Sequence, residues 1–146
     1  MRSIEIVGMT IGDYDEVFAL LKDTLGIVLR TSDSRDATAR YLARNPGLSL
    51  VALHQGRIVG CVLCGHDGRR GYLQHLAVQV SFQKRGIGSA LVEHCLAQLK
   101  QLGIEKAHVD VLYGHTTGHL FWSNRGWNRR ADIVRFSITS SADLNA

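Results

Sequence analysis

Apolar residues recur along this chain with two different periods, and each period predicts one kind of element. Alternation of apolar and polar positions predicts a β-strand, and recurrence every three to four positions predicts an amphipathic helix. The first pattern begins with Ile4 and Ile6, and the second follows it. We predict a strand at residues 4–6, a helix from Thr10 to Gly26, and a second helix over residues 33–44 that ends at Asn45-Pro46-Gly47.

The middle of the chain has the pattern of paired strands. Two runs rich in apolar and β-branched residues, 48–53 and 58–64, are separated by Gln55-Gly56, which is typical of a hairpin turn. Asp67-Gly68 marks a second turn, after which the chain returns along residues 72–80. Three consecutive antiparallel strands are therefore predicted.

After residue 88, apolar residues fall on one helical stripe that includes Leu91, Cys95 and Leu99, and Gly103 stands where a left-handed helix cap is expected. A strand at 107–111, a short helix at 117–124 and a final strand at 133–138 complete the pattern. The strand at 72–80, the long helix and the strand at 107–111 form a parallel crossover. The predicted fold class is α+β, with a mixed central sheet of about six to seven strands and four helices.

Composition and net charge indicate which classes of molecule the protein could bind. The chain has 146 residues, 45% hydrophobic and 21% charged, as expected for a single domain over residues 1–146. The formal net charge of +4 suits an anionic partner, and a phosphate-rich cofactor is sufficient to explain it. Because the basic residues are scattered and no stacking pattern of aromatic residues accompanies them, we predict no nucleic-acid partner.

The number of cysteines and the hydropathy of the chain predict where in the cell the protein is found. The chain begins without an apolar signal segment, and no stretch approaches the length of a membrane span, so we predict no membrane partner. Three cysteines, an odd number, favour a reducing, cytoplasmic compartment. Cys61 and Cys64 lie three residues apart on a predicted strand, so they face opposite sides and cannot easily share a metal. We interpret both, and Cys95, as core residues and predict no metal.

A glycine-rich loop, Gln83-Lys84-Arg85-Gly86-Ile87-Gly88, joins a predicted strand to the long helix. The first amides of a helix lack internal partners, and the helix dipole leaves partial positive charge there. Gly86 and Gly88 remove side chains that would keep a phosphate from those amides, and Lys84 and Arg85 add charge. Gln83 and Ser89 can donate hydrogen bonds. This chemistry suits a diphosphate.

Other glycine loops fit less well. A phosphate-binding P-loop requires a lysine directly after its last glycine, and a dinucleotide-binding fingerprint requires a third glycine where this chain has Leu91. Asp110 stands at a distance that suits a ribose contact, but only one strand–helix–strand unit is predicted. A loop that merely turns the chain is the remaining alternative.

These residues resemble a known family. The segment Leu76-Ala77-Val78, the glycine loop and the helix after it are similar to the acetyl-CoA-binding core of the GNAT N-acetyltransferases, whose pattern is Gln/Arg-x-x-Gly-x-Gly/Ala. A later segment with Gly118, Phe121, Trp122, Gly126 and Trp127 also matches. The stretch at residues 65–71 resembles a bacterial subgroup related to ribosomal-protein alanine acetyltransferases.

The resemblance implies roles for individual residues. The pyrophosphate of acetyl-CoA is expected on Gln83, Lys84, Arg85, Gly86, Ile87, Gly88 and Ser89. The pantetheine arm is expected to pair with backbone groups of Leu76, Ala77 and Val78, one of whose N–H groups would polarise the thioester carbonyl. His115 stands where the family usually has an asparagine that contacts the cofactor.

The reaction implied is acetyl transfer to a primary amine of a small molecule or peptide, and it needs a neutral amine. Protonation of an alkylamine at pH 7 costs about 4–5 kcal/mol, so a base is expected. Tyr72 and Gln74 share the face that the resemblance directs to the acceptor. His75 is expected to point away toward packing, while His66 and His119 stay open as candidates.

The thiolate that leaves is usually protonated by a tyrosine of the last helix, and this chain has Trp122 there. Tyr113 or water could donate the proton instead, or Trp122 simply shapes the pocket, which is the interpretation we favour. The alternative to an enzyme is a non-catalytic module that binds acyl-CoA. A homodimer is a further expectation.

Overall fold

A five-stranded mixed sheet organises the chain in the computed structural model, which describes residues 3–146. The strands are β1 Glu5–Gly8, β2 Leu50–His54, β3 Arg57–His66, β4 Gly71–Val78 and β5 Ala107–Val109. The helices are α1 Tyr14–Lys22, α2 Arg35–Arg44, α3 Ile87–Gln101 and α4 Thr116–Asn124. The strands lie in the order β1-β2-β3-β4-β5, antiparallel except for the parallel pair β4–β5. The α+β class and the crossover through α3 are confirmed.

Local sequence chemistry accounts for several element ends. Gln55 and Gly56 have φ of 52° and 77°, the two positive values that a tight two-residue hairpin turn requires, and they join β2 to β3. The side chain of Ser34 accepts a hydrogen bond from the Ala37 N–H at 3.2 Å, so α2 begins just after the predicted Asp33. Gly103 ends α3 with φ of 82°, as predicted for a left-handed cap.

Apolar side chains pack on both faces of the sheet. Leu73, Leu91 and Leu99 belong to a core between the sheet and α3, and Val17 and Leu21 belong to a core on the α1–α2 face. Cys61 lies in the second core and Cys64 in the first, both with no exposed surface, which confirms that they face opposite sides. Cys95 is buried beside Cys64 on the α3 face, as predicted.

The predicted strand at residues 133–138 is wrong, and the sheet has five strands where six to seven were predicted. Val134, Phe136 and Ile138 do alternate, but they are 80%, 93% and 97% exposed. Its Arg135 side chain forms an exposed ion pair with Asp110 at 3.0 Å. Alternation alone does not make a strand, because the backbone also needs a partner.

Within the described residues, no helix combines the length and the apolar character needed to cross a membrane.

Candidate active site

The parallel strands β4 and β5 separate soon after they meet. They pair only through Gly71–Ala107, Tyr72–His108 and Leu73–Val109. Beyond Leu73, β4 keeps β3 on one side and has no strand on the other in the described sheet. A cavity of about 1430 Å³ occupies the opening. Its walls are β4, β5, the start of α3, α4 and the segment between α1 and α2.

The start of α3 is one end of this cavity. Gly86 precedes the helix with φ of 83°, and Lys84 also has a positive φ of 61°. The first helical hydrogen bond runs from the Ala90 N–H to the Gly86 carbonyl at 3.0 Å, which leaves the amides of residues 87–89 for another acceptor. The first turn carries no acidic residue. An anion at this end would be stabilised by free N–H groups and by the helix dipole.

Side chains of the glycine loop make a hydrogen bond and a cation–π contact with neighbouring residues. Gln83 donates from Nε2 to the Val78 carbonyl at 3.0 Å and so ties the loop to the end of β4. The Arg85 guanidinium lies 5.0 Å from the centre of the Phe82 ring. A β-carbon on Gly88 would come within 3.3 Å of the Phe121 ring, so α4 closes the far side of the loop.

Arg125 is a cavity residue that the sequence patterns did not reveal. Its Nε donates to Ser89 Oγ at 2.6 Å, its Nη1 donates to the Phe121 carbonyl at 2.9 Å, and its guanidinium stacks 3.7 Å from the centre of that ring. A third cation therefore stands at the glycine loop with Lys84 and Arg85. Its only signal in the sequence is its position directly before Gly126, because Ser89 is 36 residues away.

A β-bulge in β4 changes the direction of His75. Leu63 pairs with Gln74 and Cys61 pairs with Ala77, so β4 contains one residue more than β3 in this interval. His75 takes up the irregularity with φ of 53°. Its Nε2 lies 2.8 Å from Asp33 Oδ1 on the α1–α2 face, and His75 is one of the residues that line the cavity. The predicted orientation of His75 is wrong, because strict alternation fails across a bulge.

Asp33 was not predicted as a site residue. Its Oδ2 accepts the Arg30 N–H at 2.8 Å, and its own carbonyl accepts the Tyr14 hydroxyl at 2.6 Å. Burial raises the pKa of this carboxyl, but hydrogen bonds from His75 and from the Arg30 N–H outweigh burial and hold the pKa below its usual range. Asp33 is therefore ionised at neutral pH.

The structure brings most of the predicted site residues to the cavity. Tyr72 and Gln74 line it from β4, and Leu76, Ala77 and Val78 continue that wall toward the glycine loop. Ala77 packs on the α1–α2 face, and Leu76 and Val78 pack on the α3 face. The backbone edge of these three residues thus borders the opening between β4 and β5.

Trp122 and His115 line the cavity from α4 and its start. Trp122 is 8% exposed and packs edge-on against Trp127, with ring centres 4.7 Å apart. The indole N–H has no hydrogen-bond partner among the described residues. The ring of His115 fills the space between Gly26 and Gly118, where a β-carbon on either glycine would overlap it.

Other candidates lie outside the cavity. Tyr113 is 86% exposed, and its ring contacts Arg129. His66 accepts the Gly68 N–H within the β3–β4 turn, and His119 contacts the Leu112 carbonyl. No group of three or more metal-ligating side chains occurs within residues 3–146.

Comparison with known proteins agrees with this geometry. The sequence profile of the Acetyltransferase (GNAT) family matches residues 14–127. An acetyltransferase of Yersinia enterocolitica is 34% identical over 99 residues, 68% of this chain and 70% of the relative. An acetyltransferase of Pectobacterium atrosepticum is 42% identical over 72 residues, 49% of this chain and 51% of the relative. The match thus spans about half the length of that relative.

Solved structures share the fold. The PaiA N-acetyltransferase of Thermoplasma acidophilum in complex with coenzyme A superimposes with a TM-score of 0.77 at 19% identity, covering 85% of this chain and 89% of that one. A ribosomal-protein-alanine N-acetyltransferase of Brucella melitensis gives a TM-score of 0.66 at 19% identity, covering 94% and 99%.

Free helical amides at the glycine loop, three cations beside them and an unpaired edge of β4 fit the pyrophosphate and the extended arm of acetyl-CoA. With the family match over residues 14–127, these features establish that the chain belongs to the acetyltransferase (GNAT) family and is an acetyl-CoA-dependent acetyltransferase.

Proposed function

We propose that the protein moves the acetyl group of acetyl-CoA to a primary amine of a small molecule or peptide. The observation that carries the proposal is one continuous cavity that extends from the start of α3 to the segment between α1 and α2. Such a cavity can hold the phosphates at one end and an acceptor at the other, with the reacting carbonyl between them.

We assign the cofactor contacts to two groups of residues. Gln83, Lys84, Arg85, Gly86, Ile87, Gly88 and Ser89 hold the pyrophosphate, and Leu76, Ala77 and Val78 offer backbone groups to the pantetheine arm. The free amides of residues 87–89 and the unpaired edge of β4 support this assignment. His115 packs between two glycines of the cavity wall, which supports a contact with the cofactor through the shape of the wall.

At the acceptor end, Tyr72 and Gln74 face the space where the amine enters. The Trp122 indole shapes the pocket, and its N–H can donate a hydrogen bond to the sulfur that leaves. A thiol of pKa near 8.5 is only about 2 kcal/mol from ionisation at pH 7, so a hydrogen bond is sufficient help. Tyr113, which is 86% exposed, receives no support as the acid.

The test is a thiol-release assay with acetyl-CoA and a panel of amines that includes a polyamine, an aminoglycoside and short peptides with free N-termini. We expect release of coenzyme A and a product heavier by one acetyl group with at least one class. The same panel acetylated in advance is the control, and it should release none. Tight binding of acetyl-CoA without turnover on any amine would instead support a non-catalytic acyl-CoA-binding module.

We also propose that the protein is a cytoplasmic homodimer. Three free, buried cysteines support a reducing compartment. Val134, Phe136 and Ile138 are exposed apolar residues, and such a segment favours contact with a second copy. β5 is an edge strand of the described sheet, so its free backbone groups could pair with a strand of that copy. Light scattering should give twice the chain mass, and Phe136→Asp should return the monomer mass. A wild-type monomer at micromolar concentration would contradict the dimer.

A further inference from the structure

His75 and Asp33 form a partly buried pair at the wall of the cavity. The Nε2 and Oδ1 atoms are 2.8 Å apart, and the side chains are 17% and 12% exposed. His75 lines the cavity, and Asp33 lines a small second pocket together with Met9, Tyr14 and Leu63. A carboxylate behind an imidazole that faces a reaction cavity is the arrangement of a base with its orienting partner.

The contacts of Asp33 fix which imidazole nitrogen can take up a proton. An ionised carboxylate only accepts hydrogen bonds, so Nε2 of His75 donates to it. The neutral ring then carries its lone pair on Nδ1. This atom has no hydrogen-bond partner among the described residues and is not fully buried. Nδ1 is therefore accessible to a water molecule or an amine.

The backbone at His75 supports a functional role. A histidine with φ of 53° is held in a sparsely populated conformation, which costs free energy unless the surroundings enforce it. The bulge reverses the side chain from the α3 core to the acceptor face, one residue before the proposed segment for the cofactor arm. His75 thus directly precedes the segment of β4 that is proposed to hold the cofactor arm.

We propose that His75 is the general base for the acceptor amine and that Asp33 is its positioning residue, an inference that rests on the proposed amine acetylation. Nδ1 of His75 takes one proton from the ammonium group, directly or through one water. The neutral nitrogen then attacks the thioester carbonyl; the new C–N bond forms and the C–S bond breaks. The sulfur takes up the second proton of the nitrogen, and His75 returns its own proton to solvent.

Asp33 holds the imidazole of His75 in place, because its Oδ1 lies 2.8 Å from Nε2 of the ring. The same carboxylate keeps the ring in the orientation that leaves Nδ1 free. Several other titratable groups lie on the elements packed around His75. They are Tyr14 and Glu16 on α1, Arg30 after α1, Cys61 on β3, Tyr72 on β4 and His108 on β5.

The experiment compares the wild type with His75→Gln, Asp33→Asn and His94→Gln, using the amine of the panel that the wild type acetylates fastest. His94 is the control because it lies on the exposed side of α3 and its one side-chain hydrogen bond among the described residues is to the Ala90 carbonyl. We expect His75→Gln to lower kcat about 10²–10³-fold while its Kd for coenzyme A by calorimetry stays within threefold. His94→Gln should keep the wild-type kcat.

The pH profile separates the base from a structural role. In the wild type, kcat/KM should rise with pH along an acid limb that His75→Gln lacks. In Asp33→Asn kcat should fall while the Kd for coenzyme A stays near the wild-type value, because the imidazole loses the carboxylate that orients it. A His75→Gln kcat within threefold of wild type, or an acid limb that His75→Gln retains, would overturn the inference while acetyl transfer stands. A wild type without turnover on any amine would contradict the proposed function itself and this inference with it.

A spectroscopic readout does not depend on the acceptor. In protein labelled with ¹⁵N-histidine, the His75 ring is assigned by its absence in His75→Gln. We expect the neutral ring to carry its proton on Nε2 and none on Nδ1. The opposite tautomer would overturn the inference whatever the enzyme acetylates.

Discussion

Gly86 and Gly68 share a backbone conformation but not a location. Their φ values are 83° and 91°, and a β-carbon on either would meet no atom within 4 Å. Gly86 precedes α3 at the end of the cavity, and Gly68 lies in the β3–β4 turn. The two positions therefore separate the cost of a strained backbone from the cost of a blocked anion site.

Gly86→Val should abolish coenzyme A binding, since a branched side chain would occupy the approach to the amides of residues 87–89. Both Gly86→Val and Gly68→Val should lose about 1–2 kcal/mol of unfolding free energy, because left-handed backbone disfavours a branched residue. Calorimetry with coenzyme A and urea unfolding measure the two effects. Equal affinity in Gly86→Val and wild type would remove this loop from the site.

At the scale of elements, α2 and β3 are joined by a buried amide. Asn45, 4% exposed at the end of α2, accepts the His66 N–H on its Oδ1 at 3.1 Å and donates from Nδ2 to the Tyr41 carbonyl at 3.3 Å. Gly65 lets the helix approach, because a β-carbon there would lie 2.6 Å from the Tyr41 hydroxyl. This contact holds α2 on the same face of the sheet as His75 and Asp33.

Asn45→Ala should lower the unfolding free energy by about 1–3 kcal/mol, because the His66 N–H would lose its partner in a partly buried position. Asn128→Ala is the matched control, since Asn128 is exposed and lies outside the helices and strands. Urea unfolding of both variants gives the comparison. A cost below 0.5 kcal/mol, the usual range for an exposed site, would show that this amide does not join the two elements.

For the whole molecule, stability depends on the charge of Asp33. The folded-state pKa of Asp33 lies below the unfolded value of 3.8, so its contribution is fully present above about pH 4 and is lost as pH falls through the folded pKa. Wild type minus Asp33→Asn should thus give a larger difference in unfolding free energy at pH 6 than at pH 2.5. An equal difference at the two pH values would contradict the ionised pair.

Ligand binding should also act on the whole fold, because the cavity wall is built from β4, β5, α3, α4 and the α1–α2 segment. Coenzyme A at 100 times its Kd should raise the unfolding free energy by about 2.7 kcal/mol. The gain should shrink at high ionic strength, since exposed Lys84, Arg85 and Arg125 supply part of the attraction. Thermal unfolding at 50 mM and 500 mM salt checks both statements, with adenosine as the uncharged control.

Local chemistry in the sequence determined the hairpin at Gln55-Gly56, the cap at Gly103 and the bare start of α3 at Gly86. Each depends on the φ preference or hydrogen bonding of residues only a few positions apart, so the sequence pattern is sufficient to predict it. From these features the sequence alone predicted the fold class and the residues at the cofactor end of the site.

Tertiary structure alone decided the acceptor end. Periodicity placed His75 on the wrong face, because a bulge depends on how two strands register and not on the order of residues in one of them. Asp33 is 42 residues from His75, and Arg125 is 36 from Ser89, so only the packed sheet and helices bring each pair together. The failed strand at 133–138 has the same cause: alternation indicates which residues share a face, and a strand also needs a neighbouring backbone.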